Sequence, residues 1–214
     1  MSIEEVIQHT ENNKAYSATQ ITTKRTTLSW AQSINGIMGN NGPLSISSLT
    51  SMEMTFGLRS IHQGILVGIN TVLLDNPKLT CRSKLNFIKN PVPIIMDSNL
   101  RTPIDCYLII KSNPIIFYRN ETNNKSVLES KGAKCFKYST MEDVYTILYQ
   151  LNIYSIMVEG GPTILKSFLP FATSCVVTIG KKCIAEGIIA KFDLDMSDAT
   201  LYNWEKDIIL VKHF

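Results

Sequence analysis

The chain has 214 residues, 44% of them hydrophobic and 18% charged, below the roughly 25% charged residues of an average soluble domain; this excludes a stapled mini-protein or a disordered chain and fits one domain. Twenty-one Lys and Arg against 18 Asp and Glu leave a net charge of +3, scattered without the basic stripe that a nucleic-acid backbone needs. No apolar run approaches the roughly 18 residues of a bilayer-spanning helix, so neither nucleic acid nor membrane is an expected partner.

Glu4, Glu5 and Glu11 among polar neighbours are the wrong pattern for a signal or transit peptide, and a cytoplasmic protein is expected. Residues 1–22 read as an arm, either a short helix around residues 3–9 or frayed chain, ahead of a single domain over 23–214. Strand-length apolar runs then recur at 26–31, 64–69, 93–96, 115–118, 133–138, 154–158, 175–179 and 208–211. Several are continuously apolar, which predicts strands covered on both faces and hence an α/β layered domain. Between them, Thr50 and Glu53 have the capping-box spacing and predict a helix to about His62. Thr140 is expected to cap a helix over 141–151, where Val144, Ile147, Leu148 and Leu151 recur at helical spacing. Pro162 predicts a first-turn proline in a helix over 162–169, stopped by Pro170. The polar segment 120–131 reads as a loop. Five cysteines without a C-x-x-C pair read as buried thiols of a reducing compartment.

Two segments carry chemistry. In Ser155-Ile156-Met157-Val158-Glu159-Gly160-Gly161-Pro162-Thr163-Ile164-Leu165, a buried strand runs through a diglycine turn into a helix, a geometry that favours a phosphate or pyrophosphate. It is not the G-x-G-x-x-G fingerprint, and a plain turn is the alternative. Glu159 emerges at the same edge, where open α/β sheets place ligands, unless it is only a surface carboxylate. In the second segment, 64–82, Thr71 and Asp75 stand four apart and offer a hydroxyl and a carboxylate on one helical turn; helix capping and an ordinary Asp75-Asn76-Pro77 turn are the alternatives. Arg59 and Arg82 can converge on a phosphate or simply be solvated. His9, His62 and His213 show no metal spacing, so no metal is expected. No nucleophile elbow is present, and covalent catalysis is not indicated.

Taken together, Ala31-Gln32-Ser33-Ile34-Asn35-Gly36, Leu58-Arg59-Ser60, Gly64-Ile65-Leu66-Val67-Gly68, Thr71-Val72-Leu73-Leu74-Asp75-Asn76-Pro77, Pro93-Ile94-Ile95-Met96-Asp97 and Val158-Glu159-Gly160-Gly161 resemble, in order and spacing, the riboflavin-pathway reductases, and among them the stand-alone fungal pyrimidinone 5′-phosphate reductases. The resemblance implies a single-domain, dihydrofolate-reductase-like mixed sheet flanked by helices, and a homodimer. It also implies NADPH-dependent reduction of a ribosylamino-pyrimidinone 5′-phosphate to the ribitylamino phosphate, with hydride going to C1′ of the ribose; NADH stays open as the reductant. By motif position Thr71, Asp75, Ser98, Gly160, Gly161, Pro162, Thr163 and Ile164 match cofactor contacts, while Arg59, Leu79, Arg82 and Glu159 match substrate contacts. Ser45 is the one usable position in the loop over 40–47. Asn35 stands where many relatives carry Asp, so no carboxylate role is assigned there. The zinc ligands of the family's partner deaminase are absent, which implies reduction without deamination. The expected role of Glu159 is to anchor substrate rather than donate a proton, and no residue is assigned a catalytic role. A dihydrofolate-type reductase and a non-catalytic dinucleotide-binding module are the rival readings, the two arginines arguing for a phosphorylated substrate.

Overall fold

The computed structural model describes residues 5, 24–40, 44–82, 90–189 and 192–214. In chain order its elements are β1 (Arg25–Ser33), β2 (Ile37–Gly39), α1 (Leu49–Ser60), β3 (Gly64–Gly68), α2 (Ile69–Asp75), β4 (Val92–Met96), α3 (Tyr107–Ser112), β5 (Ile115–Tyr118), α4 (Asn124–Ser130), β6 (Lys134–Lys137), α5 (Met141–Gln150), β7 (Ser155–Glu159), α6 (Pro162–Phe168), a 3-10 turn (Leu169–Phe171), β8 (Ser174–Gly180), β9 (Ile188–Ile189), β10 (Thr200–Trp204) and β11 (Asp207–His213). Nine strands form one sheet in the order β10-β11-β8-β1-β7-β3-β4-β5-β6. Strands β8 through β6 in that order pair in parallel, and β11 and β10 extend the β8 edge antiparallel. All eight predicted strands lie in this sheet.

Alternate residues of the central strands face opposite ways, and each face is covered, which is why the runs read as continuously apolar. Leu66, Ile94, Phe117, Ile156 and Val158 pack with Val144 and Leu148 of α5 and Leu165 and Phe168 of α6. On the other face Ile65, Val67, Ile95 and Ile116 meet Val72, Leu108 and Leu128 from α2, α3 and α4, while Met157 and Val176 meet Met54 and Leu58 of α1. Pro93 is tolerated inside this sheet because β4 pairs with β5 only from Ile94 onward, so no ladder bond needs its missing N–H. The β6 edge carries exposed Lys134 and Lys137, which discourage pairing with another chain.

Several expectations change. The cap of α1 is Ser48, whose hydroxyl accepts the Ser51 N–H, and Thr50 lies inside the helix, its hydroxyl donating to Glu205 at 2.7 Å. The reason is tertiary: buried Asp207 of β11 accepts from the Ser48 N–H at 2.7 Å and the Ser51 hydroxyl at 2.6 Å, so the first turn is held from across the fold. The segment read as a loop over 120–131 contains α4, docked by buried Leu128. α3, β2, β9 and β10 were not expected. The box at Thr140 forms, with Asp143 as its acidic partner. Of the five thiols, all free, only Cys106 and Cys175 are fully buried. The predicted arm, residues 1–22, lies outside the described residues apart from Glu5.

Buried His62, just past α1, is wired as a neutral ring. Its Nδ1 lies 2.7 Å from the Leu58 carbonyl and its Nε2 2.9 Å from the Thr27 hydroxyl, so Nδ1–H donates and Nε2 accepts. Burial, reinforced by the Arg25 charge and only partly opposed by the Leu58 bond, lowers its pKa to about 3. The unfolded ring, with its pKa near 6.5, takes up a proton that the folded one refuses. Stability from this group is therefore complete above pH 6.5 and is lost as pH falls toward 3, by up to roughly 4–5 kcal/mol. Urea titrations at pH 7, 5.5 and 4.5 are expected to show that decline, and the His62→Gln protein to show a shallower one. Equal slopes for the two proteins would refute it.

Candidate functional site

Parallel strands present their C-terminal ends at one edge of a sheet, and ligands gather there. At this edge lies a cavity of about 1440 Å³, larger than the roughly 300–1,000 Å³ of a single small-ligand site and therefore roomy enough for two ligands side by side.

The turn after β7 forms one wall, with Glu159, Gly160, Gly161, Pro162, Thr163 and Ile164 all lining the cavity. The two glycines serve different ends. A Cβ at Gly160 would lie 3.0 Å from Ile164 Cβ, and one at Gly68 of β3 would lie 2.8 Å from Ile164 Cγ1; both glycines let Ile164 wedge against neighbouring strands. A Cβ at Gly161 would meet nothing within 4 Å, so its bareness keeps the cavity open. Pro162 at the first helical position brings no N–H, and that of Thr163 is one that no carbonyl of α6 can reach.

The second wall follows β3. Thr71 and Asp75 lie one turn apart on α2 and both line the cavity. Asn76, in the left-handed region at φ 40°, ends that helix, and its side-chain oxygen accepts the Tyr107 N–H at 2.8 Å. Leu79, also left-handed at φ 51°, is buried, and Arg82 beyond it is exposed; both line the cavity.

The third wall is α1. Buried Arg59 grips Glu159 in a fork, Nε to Oε1 and Nη2 to Oε2, each at 2.7 Å, and its Nη1 donates to the Thr80 carbonyl at 3.2 Å. Burial lowers the guanidinium pKa, but the charge and hydrogen bonds of Glu159 outweigh it and leave the group above its ordinary value. Beside the pair, burial pushes the Cys81 thiol up to about 11, the Arg59 charge opposing and the Glu159 charge reinforcing the rise. Phe56 stands between the two arginines, its ring centroid 5.4 Å from the Arg59 guanidinium and 4.7 Å from that of Arg82. Arg59 and Arg82 thus do come together, but unequally: Arg59 is saturated by Glu159, while Arg82 meets no carboxylate among the described residues. Both oxygens of Glu159 accept from Arg59, so delivering a proton from it would require breaking one of those bonds.

Ser98, at the end of β4, lies on the cavity with its hydroxyl 3.5 Å from that of Tyr138. All twelve positions singled out from the sequence therefore line one cavity, as does Ser45, whose carbonyl accepts from Lys182 at 2.8 Å. Sequence reasoning missed Phe56, Arg101, Arg119 and Tyr138, which share the lining. Only Phe56 left a signal, standing three residues before Arg59 on one helix face.

Residues 24–171 match the family model described as the RibD C-terminal domain, which is more than half of the chain. The chain belongs to the RibD C-terminal domain family. This RibD-type chain is 34% identical over 173 residues to riboflavin biosynthesis protein RibD of Aquifex aeolicus, covering 76% of the chain and 48% of that protein, so it spans about half of the bacterial relative. It is 34% identical over 183 residues to the 2,5-diamino-6-ribosylamino-4(3H)-pyrimidinone 5′-phosphate reductase of Debaryomyces hansenii, covering 72% of the chain and 73% of the relative. Its fold matches the riboflavin biosynthesis reductase Rib7 of Saccharomyces cerevisiae with a TM-score of 0.77 at 24% identity, over 100% of this chain and 99% of that one. A dihydrofolate reductase of Enterococcus faecalis, complexed with NADP(H), matches at 0.52 with 18% identity, over 88% and 95% of the two chains. The RibD-type chain thus has the expected dihydrofolate-reductase-like fold.

Proposed function

We propose that the chain reduces 2,5-diamino-6-ribosylamino-4(3H)-pyrimidinone 5′-phosphate to the ribitylamino 5′-phosphate at the expense of NADPH. The observation that carries this reading is the convergence of the Arg59–Glu159–Arg82 corner, the Thr71/Asp75 turn and the diglycine bend on a single cavity. The lining fits two phosphorylated ligands: it holds four arginines against one aspartate and one glutamate. When bound, a reduced nicotinamide supplies the hydride that C1′ of the ribosylamine, opened to an imine, accepts.

The chain's own work is positioning, which is worth roughly 7–11 kcal/mol of barrier when two reactants are held in register. Gly161 and Thr163 face the pyrophosphate, and Thr71 and Asp75 offer a hydroxyl and a carboxylate to sugar or amide groups. Arg82, stacked on Phe56, takes the substrate 5′-phosphate, and the Arg59–Glu159 pair anchors the polar part of the same ligand. The reading places this activity in the domain over 23–214. Free thiols throughout support a reducing cytoplasm. Exposed Leu201 on edge strand β10, with exposed Phe214 beyond β11, supports a homodimer.

Loss of NADPH absorbance on adding the ribosylamino-pyrimidinone phosphate tests the proposal. Turnover is expected with this substrate and not with dihydrofolate; no substrate-dependent oxidation would defeat it.

A further inference from the structure

The cavity wall that ends at Arg59 has its footing outside the cavity. Residues 44–47 line the cavity on the way into α1, and Met52, Thr55, Phe56 and Arg59 follow at i, i+3, i+4 and i+7, one stripe of the helix. The adjacent stripe, Ser51, Met54 and Leu58, is buried. Rotation of α1 about its own axis therefore decides what this wall offers a ligand.

The anchors of the wall come from the C-terminal strands. Buried Asp207 of β11 accepts the Ser48 N–H at 2.7 Å and the Ser51 hydroxyl at 2.6 Å, both on Oδ2. The bond to Ser48 fixes where along its axis the helix starts, and the bond to Ser51 fixes its rotation at the first turn. Gly180, the partner of Asp207 across β8 and β11, lets the incoming chain lie against the sheet, since a Cβ there would collide with the Ile46 carbonyl oxygen. Lys182 Nζ donates to the Ser45 carbonyl at 2.8 Å, and Glu205 accepts from the Thr50 hydroxyl at 2.7 Å. All four anchors lie beyond residues 24–171, the stretch that the family model matches.

α1 has no acidic residue in its own first turn, and no Lys or Arg pairs with Asp207 among the described residues. The positive end of the helix dipole is thus what this carboxylate faces. At the other end Glu159 grips Arg59, so each end of α1 is held by a carboxylate. Glu159 lines the cavity, whereas Asp207 does not and can reach a ligand only through the helix.

We propose that Asp207 is a positioning residue for the reduction: by fixing the first turn of α1 it places Thr55 and Phe56 on the cavity wall and so sets the affinity for the pyrimidinone phosphate. This rests on the proposed substrate reading, in which Phe56 backs the arginine that takes the 5′-phosphate. A helix with its side chains has a radius of about 5–6 Å, so a rotation of roughly 20° moves the cavity-facing groups by about 2 Å. A misplacement of about 1 Å can cost about 100-fold. The Arg59 fork confines the movement to the N-terminal half of α1, which lowers the expected effect to about tenfold.

The test is steady-state kinetics of Asp207→Ala, Asp207→Asn and Ser51→Ala well below their melting points, with thermal melts and amide hydrogen exchange of the ligand-free proteins. Asp207→Ala is expected to raise KM for the pyrimidinone phosphate about tenfold and KM for NADPH less than threefold, and to speed exchange over residues 45–56. Asp207→Asn keeps an acceptor for both bonds, so it should melt lower than the parent yet bring KM back to within about threefold. Ser51→Ala, which leaves the Ser48 bond intact, should fall between them and decides the matter if Asp207→Ala does not fold. A lower Tm with both KM values within twofold of the parent in Asp207→Ala and Ser51→Ala would make the role of Asp207 structural only and overturn the assignment. So would a KM defect in Asp207→Asn as large as that of Asp207→Ala, or a rise confined to NADPH. A parent protein that oxidises no NADPH with the pyrimidinone phosphate would refute the reaction, while unchanged exchange over 45–56 in Asp207→Ala would refute the tie whatever the substrate.

Discussion

Replacing Glu159 with alanine is expected to lower folding stability by about 3 kcal/mol, and Tm by about 6–12 °C for a chain of this size. The fork between Arg59 and Glu159 is largely withdrawn from water, with side-chain exposures of 10% and 19%. Removing the carboxylate strands a guanidinium whose remaining hydrogen-bond acceptor is the Thr80 carbonyl, and an uncompensated buried charge costs far more than the pair contributes net. The double substitution Arg59→Met with Glu159→Leu removes both charges and is expected to recover much of the loss, because hydrophobic replacement of a buried pair is often neutral. Thermal melts of the parent, Arg59→Met, Glu159→Leu and the double variant form a complete cycle. A Glu159→Ala melt within 2 °C of the parent would show that the pair is effectively solvated and that Arg59 is free for a ligand phosphate. Substrate affinity should drop in the same variant even where it is fully folded, since Arg59 would no longer be held on the cavity wall.

The parts of this molecule legible in the sequence are those whose physics is local. Strands such as β3 and β5 declare themselves because both faces are covered and every residue is apolar. β10 is different: an edge strand with exposed Leu201 and one buried residue, Trp204, it has no such run to read. α4 hid for a related reason, since a single buried leucine docks it and the rest of its seven residues look like loop. The cap of α1 was misplaced by two residues because Asp207, 159 positions away from Ser48, sets it. In the site the pattern is the same. Motif positions brought twelve residues to one cavity, but the commitment of Arg59 to Glu159 spans 100 positions, and only coordinates separate the saturated arginine from the available one. The glycines likewise look equivalent in sequence; the space around them shows that one packs and the other stays clear.

That difference sets up a partition of kinetic effects. Arg82→Ala removes an exposed guanidinium that stacks on Phe56 and meets no carboxylate among the described residues, so the fold should be indifferent and the loss should fall on the ligand it holds. A charged hydrogen bond to phosphate is worth about 1.5–3 kcal/mol, which predicts a rise of roughly 10- to 150-fold in KM for the pyrimidinone phosphate and less than threefold for NADPH. Gly161→Val should do the reverse. Its backbone is extended, with φ at −71° and ψ at 174°, which valine adopts without strain, and its Cβ would stand in open space. The added side chain would therefore leave the melting curve near that of the parent and intrude only on a ligand lying against the bend, raising KM for NADPH by about tenfold or more. If both substitutions raised the two constants alike, the diglycine bend and the Arg82 corner would be serving one ligand, and the division of the cavity between cofactor and substrate would fail. A Gly161→Val protein with an unchanged KM for NADPH would be still more damaging, because it would place the dinucleotide away from the bend that motivated its assignment.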